Sequence, residues 1–356
     1  MEDKTKVLVA MSGGVDSAAS ATLLLREGYA PIGVTMILHG DEDGDVCGAS
    51  KDARDAHALA EALGFAHHTV DCREGFRQNV IAPFIHAYEI GSTPNPCILC
   101  NRTMKFGYLL SYAKSLGADK IATGHYARVG FDEQTRKYTL LRSKNEKKDQ
   151  TYVLYFLTQE ELSHILFPLG EFTSKDEVRA VVGAVREENA TKKESQDICF
   201  IPDGDYASFI EKGTGKAYPC GDFVDIDGNV LGRHKGLIHY TVGQRKGLGI
   251  ALGEPMYVKE KSLENGTVTL CRSEELFCAS CRVGEVSFVS GEVPTEEIRC
   301  TVKTRYNAKE VGATLSPLDE NGILTVTFDT PVRAVTGGQS AVFYQGELVL
   351  GGGIIQ

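Results

Sequence analysis

"VLVAMSGGVDS", residues 7–17, is the stretch on which the fold turns. Its first five residues are apolar without interruption, as in a strand buried on both faces. "DSAASATLLLREG" (16–28) then carries the composition of a helix closed by Gly28. Between them, Gly13 and Gly14 let the backbone come close to an anion, and Ser12 and Ser17 add hydroxyl donors. The helix behind contributes unpaired N–H groups and the positive end of its dipole. Asp16 would repel such an anion unless it caps the helix or orients a metal that neutralises phosphates. The spacing and lysine of a Walker loop are absent, so this is a phosphate site of another kind.

The alternation continues outward. "PIGVTMIL" (31–38) reads as a strand, "SKDARDAHALAEALG" (50–64) as a helix and "AHHTVDC" (66–72) as a strand. A helical stretch to about residue 90, a loop "NPCILCN" (95–101), a helix "RTMKFGYLLSYAKSLG" (102–117) and a strand "ADKIATGH" (118–125) follow. This order predicts an α/β fold, a doubly wound parallel sheet with ligands beyond the carboxyl ends of its strands. Residues 151–190 read as mainly helical. From about 215 onward, short strands separated by Gly, Asn-Gly and Asp-Gly turns predict two β modules. The expected division is a nucleotide-binding catalytic domain at 1–200, a small central β-containing domain at 201–275 and a C-terminal β-barrel-like domain at 276–356.

At 356 residues the chain is longer than one hydrophobic core usually supports. Its 42% hydrophobic and 24% charged content is that of an ordinary globular protein, and no apolar run approaches the ~20 residues of a membrane span. The acidic start runs straight into a strand and is unlike a signal peptide, which places the chain in the cytosol with its ten cysteines largely reduced. A net charge of −10 excludes indiscriminate nucleic-acid binding. Two basic stretches stand against it: 136–148, with six Lys/Arg and one Glu, and 232–249, with four Lys/Arg, two His and no acid. They are either solvated loops or surfaces for an oriented, phosphate-bearing partner.

The Ser-Gly-Gly-x-Asp-Ser loop resembles that of the ATP-pyrophosphatase superfamily, whose members split ATP between its α and β phosphates. "NPCILCN" (95–101), "ATGHYAR" (122–128), "KDQTYVLYFL" (148–157), "SQDICFIPDGDY" (195–206), "HYTVGQRKGLG" (239–249), "KTRYNAK" (303–309) and "GGQSAVFY" (337–344) occur in that order. Together they resemble the bacterial tRNA-specific 2-thiouridylase family, from about residue 6 to 350. The resemblance implies ATP with Mg2+ as cosubstrate and a tRNA with a wobble uridine, of the Lys, Glu or Gln type, as substrate. It also implies a sulfur donor such as a cysteine desulfurase or a sulfur-relay protein. It puts Ala10, Met11, Ser12, Gly13, Gly14, Val15, Asp16, Ser17, Met36 and Gly124 on ATP. Cys100 matches the family's catalytic cysteine and Cys199 its persulfide carrier. Asn95, Pro96 and Cys97 would face the target base, and His125, Lys148, Asp149, Gln150, Arg305, Tyr306 and Gln339 would contact tRNA.

Independently of the resemblance, two thiols suit such chemistry. The uracil O2 is a poor leaving group until it is adenylated, after which a soft sulfur nucleophile can attack the same carbon. One cysteine can carry the sulfur as a persulfide while the other releases it by forming a disulfide. Cys97 departs from the family pattern, which has Asp there, and a thiol is a weaker proton acceptor near neutral pH. Cys97, Cys100 and Cys199 could instead bind three corners of a [4Fe–4S] cluster that carries the sulfur. A second C-x-x-C, "CASC" (278–281), lacks companions and reads as incidental; Cys47, Cys72, Cys220, Cys271 and Cys300 receive no role, and His67 and His68 read as packing. The rival readings are a small-molecule ATP-pyrophosphatase, which would need no remote cysteine, and a non-catalytic RNA-binding or redox-sensing protein, against which the intact phosphate loop speaks.

Overall fold

The computed structural model describes residues 4–40, 51–183 and 198–356, and Cys47 lies outside them. Five strands form a parallel sheet: β1 (Lys6–Ala10), β2 (Ala30–Ile37), β3 (His67–Asp71), β4 (Lys120–Ala122) and, after the hairpin introduced below, β7 (Ile165–Leu166). Their order is β3-β2-β1-β4-β7. Both faces are covered, and β1 shows why an unbroken apolar run was needed. Leu8 points into the core containing Phe106, Leu109 and Tyr152, whereas Val7 and Val9 point into the core containing Ala18, Leu59 and Val178. The chain leaves β1 towards β2 on one side and returns to β4 on the other. The crevice beyond the ends of β1 and β4 is therefore the topological switch point of a doubly wound sheet.

"NPCILCN" is not a loop. Asn95 is an N-cap whose side chain accepts from the Cys97 N–H at 3.1 Å, and Pro96 opens the helix Pro96–Cys100. The helix runs on as a π-helical segment, Asn101–Tyr108, and then as α-helix Leu109–Ser115. The 151–157 run is likewise not an extended helix. Apolar on all sides, it is fully buried in a short 3₁₀ turn at Thr151–Val153, and the Thr158 and Glu161 capping box starts the next helix, Gln159–His164.

A central sheet of β8 (Gly221–Val224), β9 (Val230–His234), β10 (Tyr257–Ser262) and β11 (Thr267–Cys271) follows, in the order β10-β11-β8-β9. The last six strands, β12 (Phe277–Phe288), β13 (Ile298–Lys303), β14 (Val311–Leu315), β15 (Leu324–Arg333), β16 (Ser340–Gln345) and β17 (Leu348–Ile355), close into a barrel through the pairing of β12 with β17. A hairpin from the N-terminal part, β5 (Ala127–Asp132) and β6 (Lys137–Arg142), joins the edge of β17 at Leu141–Leu348. Tyr152 donates to the Ser340 carbonyl at 2.8 Å, and Val342, Tyr344 and Val349 share a core with Leu8 and Phe106. The N-terminal sheet and the barrel are thus joined by one continuous apolar layer.

This seam accounts for the first basic stretch. Lys137 pairs with Glu292, Lys144 with Glu347 at 2.9 Å, and Arg136 with Glu133 at 4.0 Å. Arg142 pairs with Glu310 at 2.7 Å and stacks 3.7 Å from the centre of the Tyr344 ring. Lys137, Arg142 and Lys144 thus hold the hairpin to its neighbours, so half of the cations at 136–148 are committed to this seam.

Candidate active site

The loop after β1 and the loop after β4 meet in the switch-point crevice. Gly13 has a φ of +68°, and a Cβ there would lie 2.4 Å from the Asp52 carbonyl oxygen, so only glycine fits the turn. The Ser12 N–H donates to Ser17 Oγ at 3.1 Å, which folds the loop over the start of helix Val15–Arg26. Gly124 lies against that first turn, where a Cβ would come within 2.9 Å of the Asp16 backbone. The resulting cavity of about 250 Å³ is lined by Ala10, Met11, Ser12, Asp16, Ser17, Met36 and Gly124 from the expected set, and by Lys105, Thr123, His125 and Gln150. Gly14 and Val15 complete the turn without lining it.

Asp16 does not face the cavity uncompensated. Its Oδ1 accepts from Tyr126 Oη at 2.7 Å and from Lys175 Nζ at 2.6 Å, while Oδ2 takes part in neither bond. Tyr126 and Lys175 escaped the sequence reading, because nothing in their local pattern announces a partner more than a hundred residues away.

The cysteine helix runs on into the segment that brings Lys105 to the cavity. Cys97 is exposed, Cys100 half-buried and Cys199 exposed on the turn that follows residue 198. Although two of them reach the surface, the protein around these thiols partly desolvates them and pushes all three up in pKa, Cys199 to about 11. Cys97 and Cys100 each act electrostatically on Cys199, which shows that the remote cysteine has come to the pair. Among the described residues no three His, Cys, Asp or Glu side chains converge as a metal site. The three thiols meet as neighbours, not as an assembled ligand set, and the alternative of a [4Fe–4S] cluster on Cys97, Cys100 and Cys199 finds no support among the described residues.

The remaining expected residues divide into two groups. His125 is buried in the cavity wall, and burial followed by the charge of Lys105 drives its pKa well down. Asp149 turns its carboxylate inward, accepting from the Ser143 N–H at 3.0 Å and Thr151 Oγ1 at 2.6 Å. Gln150 accepts from the Tyr126 N–H at 2.9 Å, and Gln339 donates to the Thr93 carbonyl at 2.7 Å, two residues before Asn95. These groups build the walls. Tyr306 is exposed and lies within electrostatic reach of Cys97, while its hydroxyl donates to the Asp149 carbonyl at 3.5 Å. Arg305 donates to the carbonyls of Arg333 and Ala334, both at 3.1 Å, and lines a second cavity with Lys235, His239 and Gln244. Lys148 lies on the loop between β6 and Thr151.

A family model described as a tRNA methyl transferase HUP domain matches residues 5–203. Models described as a tRNA methyl transferase PRC-barrel domain and an aminomethyltransferase beta-barrel domain match 207–272 and 278–355. A protein of Acetivibrio thermocellus named tRNA-specific 2-thiouridylase MnmA is 48% identical, with 99% of each chain covered. The chain belongs to the tRNA-specific 2-thiouridylase family. Relatives of that name from Caldanaerobacter subterraneus (47% identical; 100% of this chain and 99% of the relative) and Clostridioides difficile (44%; 99% and 98%) align equally fully. Within this family fold Lys105 links the switch-point cavity to the three cysteines, and no described helix is long and apolar enough to cross a membrane.

Proposed function

We propose that the protein is a cytosolic tRNA 2-thiouridylase that activates O2 of a wobble uridine with ATP and replaces it with sulfur. One observation carries this reading: Lys105 lines the cavity of a phosphate-type loop at the switch point and acts electrostatically on all three gathered thiols.

Residues 10–17, Met36 and Gly124 hold ATP, and the carboxylate of Asp16 would hold the magnesium ion that neutralises its phosphates. The uridine O2 attacks the α-phosphorus, the bond to the β-phosphate breaks, and pyrophosphate leaves with the electron pair. A Cys199 persulfide, loaded by a cysteine desulfurase or a sulfur-relay protein, attacks C2 through its terminal sulfur and AMP departs. Cys100 then attacks Cys199 Sγ, giving a Cys100–Cys199 disulfide and free 2-thiouridine, and a dithiol reductant restores both thiols. Cys97, at the usual Asp position, is auxiliary. Asn95, Pro96, Cys97, Lys148, Arg305 and Tyr306 contact the tRNA, of the Lys, Glu or Gln type. Asp149, Gln150, His125 and Gln339 keep those contacts in place. The working units are 1–200, 201–275 and 276–356. Mass spectrometry of wobble nucleosides from cells lacking the protein tests the reading: 2-thiouridine should vanish and return with the gene, and an unchanged level would overturn it.

A further inference from the structure

We propose that Lys105 is a catalytic cation common to both half-reactions, its ammonium group holding the α-phosphate oxygens while the uridine is activated and the charged sulfur while it is transferred. This deepens the thiouridylase reading and rests on it.

The backbone explains why a lysine at this position reaches the site. In an α-helix, residue 105 would be turned about 140° away from residue 100. The segment Asn101–Tyr108 is π-helical, and its i→i+5 bonding brings the fifth residue back over the first. Lys105 is thereby placed on the face that Cys100 occupies. It lines the cavity with Ser12, Ser17 and Gly124, and its charge acts on Cys97, Cys100 and Cys199. In all three thiols that charge opposes the rise caused by desolvation.

The amine is held in this position by a neutral imidazole. Lys105 Nζ lies 3.5 Å from His125 Nε2. An ammonium group can only donate, so Nε2 accepts and the proton sits on Nδ1, which donates to Thr123 Oγ1 at 2.6 Å. Phe106 and Phe167 pack against the imidazole, with ring centres 5.8 and 6.0 Å away, and keep it from turning. Among the described residues Lys105 forms no ion pair, whereas the neighbouring Lys175 is committed to Asp16 at 2.6 Å. A half-buried ammonium aimed into a cavity, with an imidazole as its neutral neighbour and no carboxylate, is suited to an anionic ligand. In the two steps Lys105 keeps its proton. It offsets the charge that develops on the phosphate as pyrophosphate leaves and on the persulfide sulfur before it attacks C2.

The test compares Lys105→Met, Lys105→Gln and Lys105→Arg with wild type, with thermal melting to establish folding. Peptide-level alkylation of Cys100 and Cys199 by iodoacetamide, followed against pH without ATP or tRNA, reads the thiol half independently of turnover. Both neutral variants should alkylate only at higher pH than wild type, and Lys105→Arg should restore the wild-type profile. Pyrophosphate release that depends on tRNA should fall about 10²-fold or more in the neutral variants. Unchanged alkylation profiles overturn the shared role even if turnover is lost, as does pyrophosphate release within a few-fold of wild type. Should wild type itself release no pyrophosphate with tRNA, the thiouridylase reading fails and the proposal built on it falls, whereas a failure confined to the variants strikes Lys105 alone.

Discussion

Gly13→Ala should disable the site through the backbone, and its neighbour supplies the control. At a φ of +68° an alanine costs about 1–2 kcal/mol in conformational strain alone. Its Cβ would also stand 2.4 Å from the Asp52 carbonyl oxygen, where ordinary contact begins at 3.4 Å, so the loop or the helix Lys51–Leu63 must give way by 1.0 Å (3.4 − 2.4). Displacements of that size in a positioning element cost about 10²-fold in rate. Gly14 is extended, with a φ of −85°, and a Cβ there meets nothing nearer than Ser12 Oγ at 3.5 Å. Gly13→Ala should therefore lower kcat/KM for pyrophosphate release about 10²-fold and reduce Tm by about 2–8 °C, while Gly14→Ala melts with wild type. The assays are coupled pyrophosphate detection with saturating tRNA and differential scanning calorimetry. A Gly13→Ala protein with wild-type turnover and melting would show that the loop is not held against Asp52 in this way.

Three further outcomes are expected. Cys97→Asp restores the usual family residue and should thiolate tRNA under air within a few-fold of wild type; a variant inactive although folded would make Cys97 itself part of the transfer. Arg142→Met removes the cation that faces Asp149 and the exposed Glu310 and should destabilise by about 1–3 kcal/mol by denaturant midpoint, part of which returns when Asp149→Asn is added. Additive losses in that double variant would refute the seam as described. Lys261 Nζ is buried beside the Tyr88 ring without a hydrogen-bond partner among the described residues, and desolvation lowers its pKa from 10.5 to about 8. The unfolded chain then binds the extra proton between about pH 8 and 10.5, so stability rises with pH across that window. Lys261→Met should melt above wild type at pH 7, and the gap should close towards pH 10; a gap independent of pH would contradict this.

Much of the site was legible because its signals are local. The phosphate loop is written in consecutive residues, and the alternation around it orders the sheet. Asn-Pro at 95–96 was equally local, an N-cap and first-turn proline that a loop reading of "NPCILCN" overlooked. Lys105 was hidden by period: at five residues from Cys100 it falls off every α-helical face, and only the π-helical segment brings it back. Asp16 with Lys175, Arg142 with Tyr344 and β6 with β17 depend on tertiary approach, for which one sequence carries no signature. The seam also explains the misread 151–157 run, whose all-round apolarity serves burial between two layers and not a helical stripe.

The most direct measurement is non-reducing peptide mapping of the enzyme, loaded with persulfide, after a single turnover with ATP and tRNA. A Cys100–Cys199 disulfide should form in equal amount to the 2-thiouridine. Cys100→Ala should still release pyrophosphate while yielding neither product. Thiouridine made with both thiols still reduced, or with the disulfide between other cysteines, would contradict this mechanism.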